Sequence, residues 1–414
     1  MTPRGLLSIS MVAAALLLGG CGGGGGDTPS ESPSAPSGEQ AGAPLDPRTG
    51  APVTLGNRVK EAIDRGLHYL HDRFDLEQGG WTVEGRVDAG ITGLVLQAFA
   101  RSPRKYRAAD GPFMEKSLQY LASLARPDGS IHDGELANYK TSAVLQALVY
   151  AGGDRYRELI DKAREYLVHS QLDEGEGFSE DHKFYGGAGY GGDRRPDISN
   201  LSLWVDGLLA AGQPRGSEPF QRALRFLERC QNDSEVNTGR HEIEGKVIVS
   251  GDDGGGVYAP GESKAGLEDR GDGTFSPRSY GSMTYALLKG YIAADLKPDD
   301  PRVQRALAWI ARNFTLEENP GFDRNTDPKA GLQGLYYYYY TMAKALDLHG
   351  EEVVKDVRGR ERRWREEMAT RLLELQGADG SWVNRDSPRW WEGMPVLATA
   401  YAVLALEICR TGLK

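Results

Sequence analysis

The chain has 414 residues, with 49 lysines and arginines against 59 aspartates and glutamates, so its formal net charge is -10 at pH 7. The acidic balance and the lack of a basic cluster argue against nucleic acid and anionic lipid headgroups as partners. Besides Cys21, only Cys230 and Cys409 are present, both in helical patterns. Two buried free thiols are the favoured interpretation, and a bridge between distant repeats is the alternative.

The N-terminus has the pattern of an export signal. Arg4 provides a short basic region, and the apolar stretch from Leu6 to Leu18 is too short to cross a membrane. Leu18-Gly-Gly-Cys21 resembles the lipobox of signal peptidase II, which implies cleavage before Cys21 and lipidation of its thiol. The alternative is a plain signal peptide with an incidental cysteine. We therefore predict that the protein is exported and held on the membrane through Cys21, on the periplasmic or outer-membrane face of a bacterial cell envelope.

The next segment is rich in Gly, Ser, Pro and Ala and contains almost no apolar residues. Such a composition cannot bury enough surface to offset the entropy lost on ordering, so it predicts a disordered tether. The chain therefore divides into a signal peptide over residues 1–20, a lipidated cysteine and tether over 21–52, and a folded domain over 53–414.

The folded domain contains six copies of one pattern. Each copy has an amphipathic helix, a Gly-containing turn with a large side chain, a short loop and then a shorter, more apolar helix. The clearest turns are Pro127-Asp-Gly-Ser130 and Asp379-Gly-Ser-Trp382. The apolar helices of the six copies are predicted at residues 91–99, 141–148, 201–209, 283–291, 332–346 and 397–406.

The two helix types differ as a closed ring requires. In the last copy, Trp364, Met368 and Leu372 form one apolar stripe opposite a charged face, which is typical of an outer helix. In the helix that follows, both Leu397 and Val396 belong to apolar faces, which indicates burial all round. We therefore predict an all-α fold, a single (α/α)6 toroid of six helical hairpins with Gly-rich loops, and expect a monomer.

The repeats resemble a known superfamily. Gln376-Gly-Ala-Asp-Gly-Ser-Trp382 and Ala125-Arg-Pro-Asp-Gly-Ser130 look like the QW-type repeats of prenyltransferase and squalene-oxidase-repeat proteins, which include terpenoid cyclases. Tyr280-Gly-Ser-Met-Thr-Tyr-Ala286 resembles a bacterial subgroup of exported lipoproteins within it. The resemblance covers roughly residues 59 to 410 and implies the toroid, whereas function transfers poorly from fold.

The catalytic motifs of that superfamily do not carry over. No Asp-x-Asp-Asp motif is present to protonate an alkene, and Gly251-Asp-Asp-Gly254 is typical of a turn. Neither Glu228-Arg-Cys230 nor Glu407-Ile-Cys409 matches the Asp-x-Cys element of a zinc prenyltransferase, and no His-x-x-x-His pair is present. We therefore expect no metal and no cofactor, and leave open whether the protein is an enzyme.

The turns before the apolar helices are expected to meet at one end of the ring and form the mouth of a central funnel. Five consecutive tyrosines, Tyr336 to Tyr340, span more than one helical turn, so some face the funnel and others the packing. Asp197 and Glu392 are weak candidates for a catalytic acid, although helix capping is the simpler role for Asp197. The predicted ligand-binding residues are Tyr139, Asn200, Trp204, Tyr280, Ser282, Tyr285, Gln333, Tyr336 and Trp391.

Three functional hypotheses follow. The leading one is a toroid that binds a hydrophobic or sugar ligand, or a partner, at its aromatic funnel. The first alternative is an enzyme with an atypical acid in the funnel, either terpenoid cyclase-like or polysaccharide-degrading. The second is a structural protein of the cell envelope that uses its outer surface. The Gly- and Asp-rich insertion over residues 232–275 has no assigned role.

Overall fold

A computed structural model describes residue 50 and residues 53–192 and 195–413. The predicted signal peptide, Cys21 and nearly all of the tether lie outside these residues. Within the described part of the chain, no helix combines the length and the apolar character needed to span a bilayer. Cys230 and Cys409 are buried free thiols.

Twelve α-helices form within the described residues. They are α1 (Leu55–His71), α2 (Ala89–Arg101), α3 (Pro112–Ser123), α4 (Ala137–Ala147), α5 (Arg157–His169), α6 (Ile198–Ala210), α7 (Glu218–Glu228), α8 (Gly281–Ala293), α9 (Pro301–Asn313), α10 (Leu335–His349), α11 (Trp364–Leu375) and α12 (Pro395–Arg410). Consecutive odd and even helices correspond to the six predicted hairpins.

The even-numbered helices form a closed inner ring. Each packs against the next even-numbered helix, from α2 through to α12, and α12 in turn packs against α2. Nearly every residue of α2, α8 and α12 is buried, because each of these helices has a neighbour on both sides and an outer helix behind it. The predicted all-α toroid is therefore confirmed.

The odd-numbered helices form the outer layer and are amphipathic. In α1 the buried positions Val59, Ile63, Leu67 and Leu70 recur every three or four residues, whereas charged residues occupy the opposite side. The last outer helix, α11, packs against α1, and α1 also packs against α12. The outer layer therefore closes at the same seam as the inner ring.

Glycines in the loops of five of the six hairpins lie against the outer helix of the next hairpin. Gly380 has a φ of +86°, and a Cβ there would lie 2.6 Å from the Arg65 carbonyl oxygen in α1. In the third hairpin Gly186, with a φ of +79°, would place a Cβ 1.8 Å from the Arg222 carbonyl oxygen in α7. Only glycine permits both this backbone conformation and so close an approach. Gly186 lies in a loop after the Gly-containing segment Gly175-Glu-Gly-Phe178, because that hairpin carries a longer connection.

Tryptophan and glutamine side chains fix the same turns by hydrogen bonds to backbone carbonyls. The Trp382 indole N–H donates to the Leu372 carbonyl over 2.8 Å, and the Trp81 indole N–H donates to the Leu70 carbonyl over 2.7 Å. The Gln376 amide donates to the Ala62 carbonyl in α1, across the ring seam. These polar atoms are satisfied although their side chains fill the space between helices.

Short strands occupy the loops. β1 (Thr82–Val83) pairs with β2 (Arg86–Val87), and β7 (Val354–Lys355) pairs with β8 (Glu361–Arg362). The 232–275 insertion and the residues after it contribute β3 (Arg240–Ile243), β4 (Lys246–Val249), β5 (Leu267–Asp269) and β6 (Thr274–Pro277), in the order β3-β4-β6-β5. Asp253 of this insertion accepts hydrogen bonds from Ser279 and Trp309, so it joins the loop to the helical scaffold.

Candidate functional site

The inner ring encloses a central cavity of about 320 Å³. Every even-numbered helix contributes to its wall, and the cavity also opens towards the loops that precede these helices. A volume of this order is typical of small-molecule sites. One wall residue from each inner helix, in chain order, is Leu94, Tyr139, Leu203, Met283, Tyr340 and Tyr401.

Helical periodicity decides which of the five tyrosines reach the cavity. Tyr337, Tyr340, Thr341 and Lys344 line it, at the spacing of one face of α10. The neighbouring tyrosines point into the packing. The hydroxyls of Tyr338 and Tyr339 donate to the carbonyls of Thr315 and Leu316, which lie in the loop after α9.

The tyrosines of the wall touch one another in a continuous series. The ring centroids of Tyr139 and Tyr190 are 6.2 Å apart, and the hydroxyl oxygens of Tyr139 and Tyr401 are separated by 3.5 Å. Tyr340 stacks on Tyr401 with 5.4 Å between centroids, and Tyr337 meets Tyr401 edge to face. This arrangement presents a polarisable aromatic surface along one side of the cavity.

Two consecutive tryptophans stand at the mouth in an unusual backbone conformation. Trp390 and Trp391 have φ values of +55° and +65°, which is rare for bulky residues. The Trp390 ring packs near Phe322, with 6.4 Å between centroids, and carries the Arg389 guanidinium on its face. Trp391 also lines the cavity but is 51% exposed. Backbone strain of this kind is concentrated at functional sites.

Asp197 occupies a buried corner beside the mouth, at the start of α6. Its carboxylate accepts hydrogen bonds from the backbone N–H of Asn200 at 3.0 Å and from the Asn200 amide at 2.6 Å, so it caps the helix. Ser199 and Tyr258 also donate to it. Burial nevertheless raises the pKa of Asp197, because these hydrogen bonds only partly offset desolvation. Ser199 and Tyr258 connect this carboxyl to the cavity wall.

Glu392 is the second acid at the mouth and is also buried. Its carboxylate accepts hydrogen bonds from the backbone N–H of Tyr337 and from the Asn384 amide, each at 2.8 Å. It therefore satisfies the free N–H groups in the first turn of α10, where Gly334 has no side chain to do so. Burial raises the pKa of Glu392 to about 7, despite the hydrogen bond from Asn384.

The opposite end of the cavity carries buried ions. Lys289 on α8 lies 2.8 Å from one carboxylate oxygen of Asp206, and Lys344 on α10 lies 2.9 Å from the other. Lys289 also donates to the Ser202 carbonyl, and Lys344 to the Gln146 amide oxygen. We call Asp206, Lys289 and Lys344 the floor cluster.

The depth of this cluster follows from helix geometry. Asp206, Lys289 and Lys344 each come two turns after a mouth residue on the same helix face, namely Ser199, Ser282 and Tyr337. Two turns correspond to roughly 10 Å along the axis.

Burial and mutual attraction shift the pKa values of Lys289 and Asp206 in the floor cluster. Desolvation lowers the pKa of Lys289 to about 8, although Asp206 opposes the shift. For Asp206, burial by itself would raise the pKa, but the two ammonium groups outweigh it and the pKa is lowered. Both oxygens of the single carboxylate are thus committed to lysines.

Of the residues predicted from the sequence, five lie together on the cavity wall. These are Tyr139, Tyr280, Ser282, Trp391 and Glu392. They come from α4, α8 and the loops before α8 and α12. The turns that precede the inner helices therefore do meet around one opening.

Five other predicted binding residues do not line the cavity. Trp204 faces the outer layer, where its indole N–H donates to the Leu167 carbonyl in α5. Tyr285 packs on Tyr338 on the same outer side of the inner ring, and Tyr336 packs on Tyr339. Asn200 is held by Asp197, and Gln333 accepts a hydrogen bond from Arg389. The predictions for Asn200, Trp204, Tyr285, Gln333 and Tyr336 as wall residues are therefore corrected. Trp204, Tyr285 and Tyr336 are turned away by the rotation of their helices, whereas Asn200 and Gln333, which precedes α10, are held by neighbouring side chains.

Sequence reasoning missed the floor cluster and the wall residue Tyr401. A signal for the floor cluster was present, because Asp206, Lys289 and Lys344 are isolated charged residues inside otherwise apolar inner helices. Charged side chains at such positions are rarely buried without a partner. They lie at nearly the same depth on consecutive inner helices, which only the alignment of the helices in the ring reveals.

One family model matches part of the chain. The squalene-hopene cyclase C-terminal domain family matches residues 86–245. This match confirms the predicted resemblance to the prenyltransferase/squalene-cyclase-like superfamily. No curated protein matches the sequence.

Solved structures give a weaker likeness. The apo type II terpene cyclase MstE from Scytonema is 15% identical, covers 86% of this chain and 99% of its own, and superposes with a TM-score of 0.48. A glycosidase in complex with glucose is 14% identical, covers 88% of this chain and 99% of its own, and has a TM-score of 0.45. A protein from Actinoplanes is 16% identical, covers 85% and 99% of the two chains, and has a TM-score of 0.43.

Proposed function

We propose that this toroid, which resembles the prenyltransferase/squalene-cyclase-like superfamily, binds one small, mainly apolar molecule in its central cavity. The observation that carries the proposal is the tyrosine series Tyr190, Tyr139, Tyr401 and Tyr340, which lines one side of a cavity walled by all six inner helices. A concave, largely apolar space with a few polar groups is the usual form of a small-molecule site.

Two features support a binding role over simple packing. Trp391 is half exposed at the mouth although it is large and apolar, and its backbone is held at a φ of +65°. The packing of a half-exposed ring does not offset such strain, whereas stacking of a ligand on the ring adds contacts that do. The Tyr340 hydroxyl is buried and has no hydrogen-bond partner among the described residues, which suits a polar atom of a ligand.

A cavity-filling substitution tests the proposal. Thr341 lines the cavity and donates its hydroxyl to the carbonyl four residues earlier, and the exposed Thr370 makes the same bond on α11. Thr341→Phe should lower the affinity of the full chain for 1-dodecanol by roughly tenfold or more, because the phenyl ring would occupy part of the cavity that the ligand needs. Thr370→Phe is the matched control and should bind as the wild type does. Equal affinities, measured by tryptophan fluorescence titration, would refute the cavity as the site.

A second candidate function is acid-initiated chemistry of the terpenoid cyclase type. It is favoured by Asp197, a buried carboxyl with a raised pKa that contacts the wall through Ser199 and Tyr258. A carboxyl kept protonated by burial is suited to donate a proton, and aromatic rings stabilise the positive charge that follows.

Product analysis separates catalysis from binding. The full chain should be incubated with squalene and, separately, with geranylgeraniol, and the extracts analysed by gas chromatography and mass spectrometry. Cyclic products that disappear in Asp197→Asn, while the variant still binds 1-dodecanol, would establish the enzyme. The absence of any product with both substrates would leave the binding function as the better account.

We also propose that the toroid acts at a membrane surface through lipidation of Cys21. The support is the lipobox-like Leu18-Gly-Gly-Cys21 after a short apolar stretch. Cys21→Ser should move the protein from the membrane fraction to the soluble fraction of cells, because lipid chains provide the anchor. Retention of the variant in the membrane fraction would contradict the proposal.

A further inference from the structure

The floor cluster carries more positive than negative charge. Two lysines share the single carboxylate of Asp206, each with one of its oxygens. All three side chains are nearly enclosed, with exposed fractions of 3% for Lys289, 10% for Lys344 and 8% for Asp206. A buried charge without a counter-charge is costly, so the extra ammonium group requires an explanation.

Neighbouring charged groups do not supply the missing anion. Below the floor, Glu407 on α12 is buried close to Arg101 and Arg410. Burial raises the pKa of Glu407 far above its ordinary value, which favours the neutral acid. Arg101 and Arg410 are themselves cations, so the charge excess at this end of the ring persists beyond the floor cluster.

Another buried lysine of the chain shows how a structural ion cluster is balanced. Lys140 is as enclosed as Lys289, but it lies between Asp88 and Asp133, with Glu135 at 4.0 Å. There the acids outnumber the base, and Lys140 does not line the cavity. The floor cluster therefore has an excess of cations that the buried cluster around Lys140 does not share.

The Tyr340 hydroxyl is a second feature that points to a ligand at this depth. It is buried without a hydrogen-bond partner among the described residues, and its side chain lines the cavity. The Lys344 ammonium lies 4.7 Å from the centroid of the same ring. A hydroxyl and an ammonium group at one end of an aromatic cavity together form a donor set for an anionic oxygen.

We propose that the floor cluster binds the anionic group of an amphipathic ligand, a carboxylate, whose apolar body lies along the tyrosines towards the mouth. Lys344 and the Tyr340 hydroxyl donate to the carboxylate, and Lys289 adds positive charge. The proposal rests on the binding function above and specifies its ligand as a long-chain or terpenoid acid. The molecule enters with its anionic end first, because that end finds its partners only at the floor.

A series of three ligands with the same chain tests the proposal on the unaltered full chain. Laurate is anionic, 1-dodecanol is neutral and dodecylamine is cationic at neutral pH. Calorimetric titration should give the order laurate, dodecanol, dodecylamine, with laurate tighter than dodecanol by roughly ten- to a hundredfold, the range expected for a hydrogen bond to a charged group. Equal binding of laurate and dodecanol overturns the anionic site and leaves the proposed function standing. Failure of all three ligands to bind overturns the proposed function itself.

Two substitutions locate the site. Lys344→Met removes one cation and leaves Asp206 and Lys289 as a neutral pair, so the preference for laurate over dodecanol should disappear. Lys297→Met is the matched control, because Lys297 also lies 2.9 Å from an aspartate, Asp295, but at the surface. The control should keep the preference. Should Lys344→Met fail to fold, Lys344→Arg retains the charge and should retain the preference. A preference for laurate that Lys344→Met leaves intact overturns the proposal.

Discussion

The two ends of the cavity stabilise their buried ionisable side chains in different ways. The mouth is built by loops and first turns, and its acids Asp197 and Glu392 are buried, hydrogen-bonded to backbone and shifted towards the neutral form. The floor is built two turns deeper from helix interiors and holds charges that pair across the ring. The difference teaches that helix N-termini satisfy an acid with N–H groups, whereas a mid-helix charge has only the side chains of other helices as partners.

This contrast also predicts opposite dependence of stability on pH at the two ends. A carboxyl with a raised pKa holds its proton in the folded state, so the free energy of unfolding falls as the pH rises from the unfolded to the folded value. For Glu392 that range extends from about 4.5 to about 7. Lys289 has a lowered pKa of about 8, so its contribution rises with pH between about 8 and 10.5.

The largest expected effect comes from breaking the floor cluster. Asp206→Ala leaves two buried ammonium groups without a counter-charge and should lower the free energy of unfolding by about 3–5 kcal/mol. The control is Asp295→Ala, which removes the surface partner of Lys297. This variant should change the free energy of unfolding by at most about 1 kcal/mol. Urea denaturation of the full chain measures both. Similar losses in the two variants would show that the floor pairing contributes no more than a surface pair.

The second-largest effect is expected for the pH dependence of stability, which we attribute to the mouth acid Glu392. Glu392→Gln has no ionisable group at this position. The stability of the variant should therefore not fall over the pH range in which Glu392 of the wild type loses its proton. Between pH 4.5 and 7 the wild type should lose about 3 kcal/mol more in free energy of unfolding than the variant, from the pKa of about 7. Denaturation curves across this range test it. Parallel pH profiles for the two proteins would mean that the carboxyl ionises normally in the folded state.

A smaller effect tests how the loops of the mouth are held. Gly186 and Gly212 both have positive φ, but a Cβ at Gly186 would collide with the Arg222 carbonyl oxygen, whereas a Cβ at Gly212 meets nothing within 4 Å. Gly212→Ala should therefore show only the backbone cost of about 1–2 kcal/mol. Gly186→Ala should cost about 1–3 kcal/mol more, because α7 must move away from the loop. Thermal denaturation compares the pair, and equal losses would rule out docking by close approach.

The smallest change in stability is expected at Trp391, together with a clear loss of binding. Glycine adopts a φ of +65° without strain, and this relief offsets the modest packing that a half-exposed ring provides. Trp391→Gly should therefore alter the free energy of unfolding by less than about 1 kcal/mol, while weakening 1-dodecanol binding. A strongly destabilised variant would show that the ring belongs to the core.

The sequence alone determined the ring. Six copies of an amphipathic helix, a glycine turn and an apolar helix can bury their apolar faces only by packing side by side until the ends meet, which α12 and α2 do. It also predicted the general position of the mouth, because loops before inner helices share one end of a ring. Tyr139, Tyr280, Ser282 and Trp391 lie on the wall for that reason.

Only the tertiary structure decided which side of each helix faces the cavity. Inner helices are apolar all round, so their sequence gives no strong signal to distinguish Tyr337 from Tyr336 or to turn Trp204 outward. The rotation of each helix is set by its packing against two neighbours and an outer helix. The same packing brought Asp206, Lys289 and Lys344 together from three separate repeats, because electrostatic pairing across a ring depends on distances that no local pattern encodes.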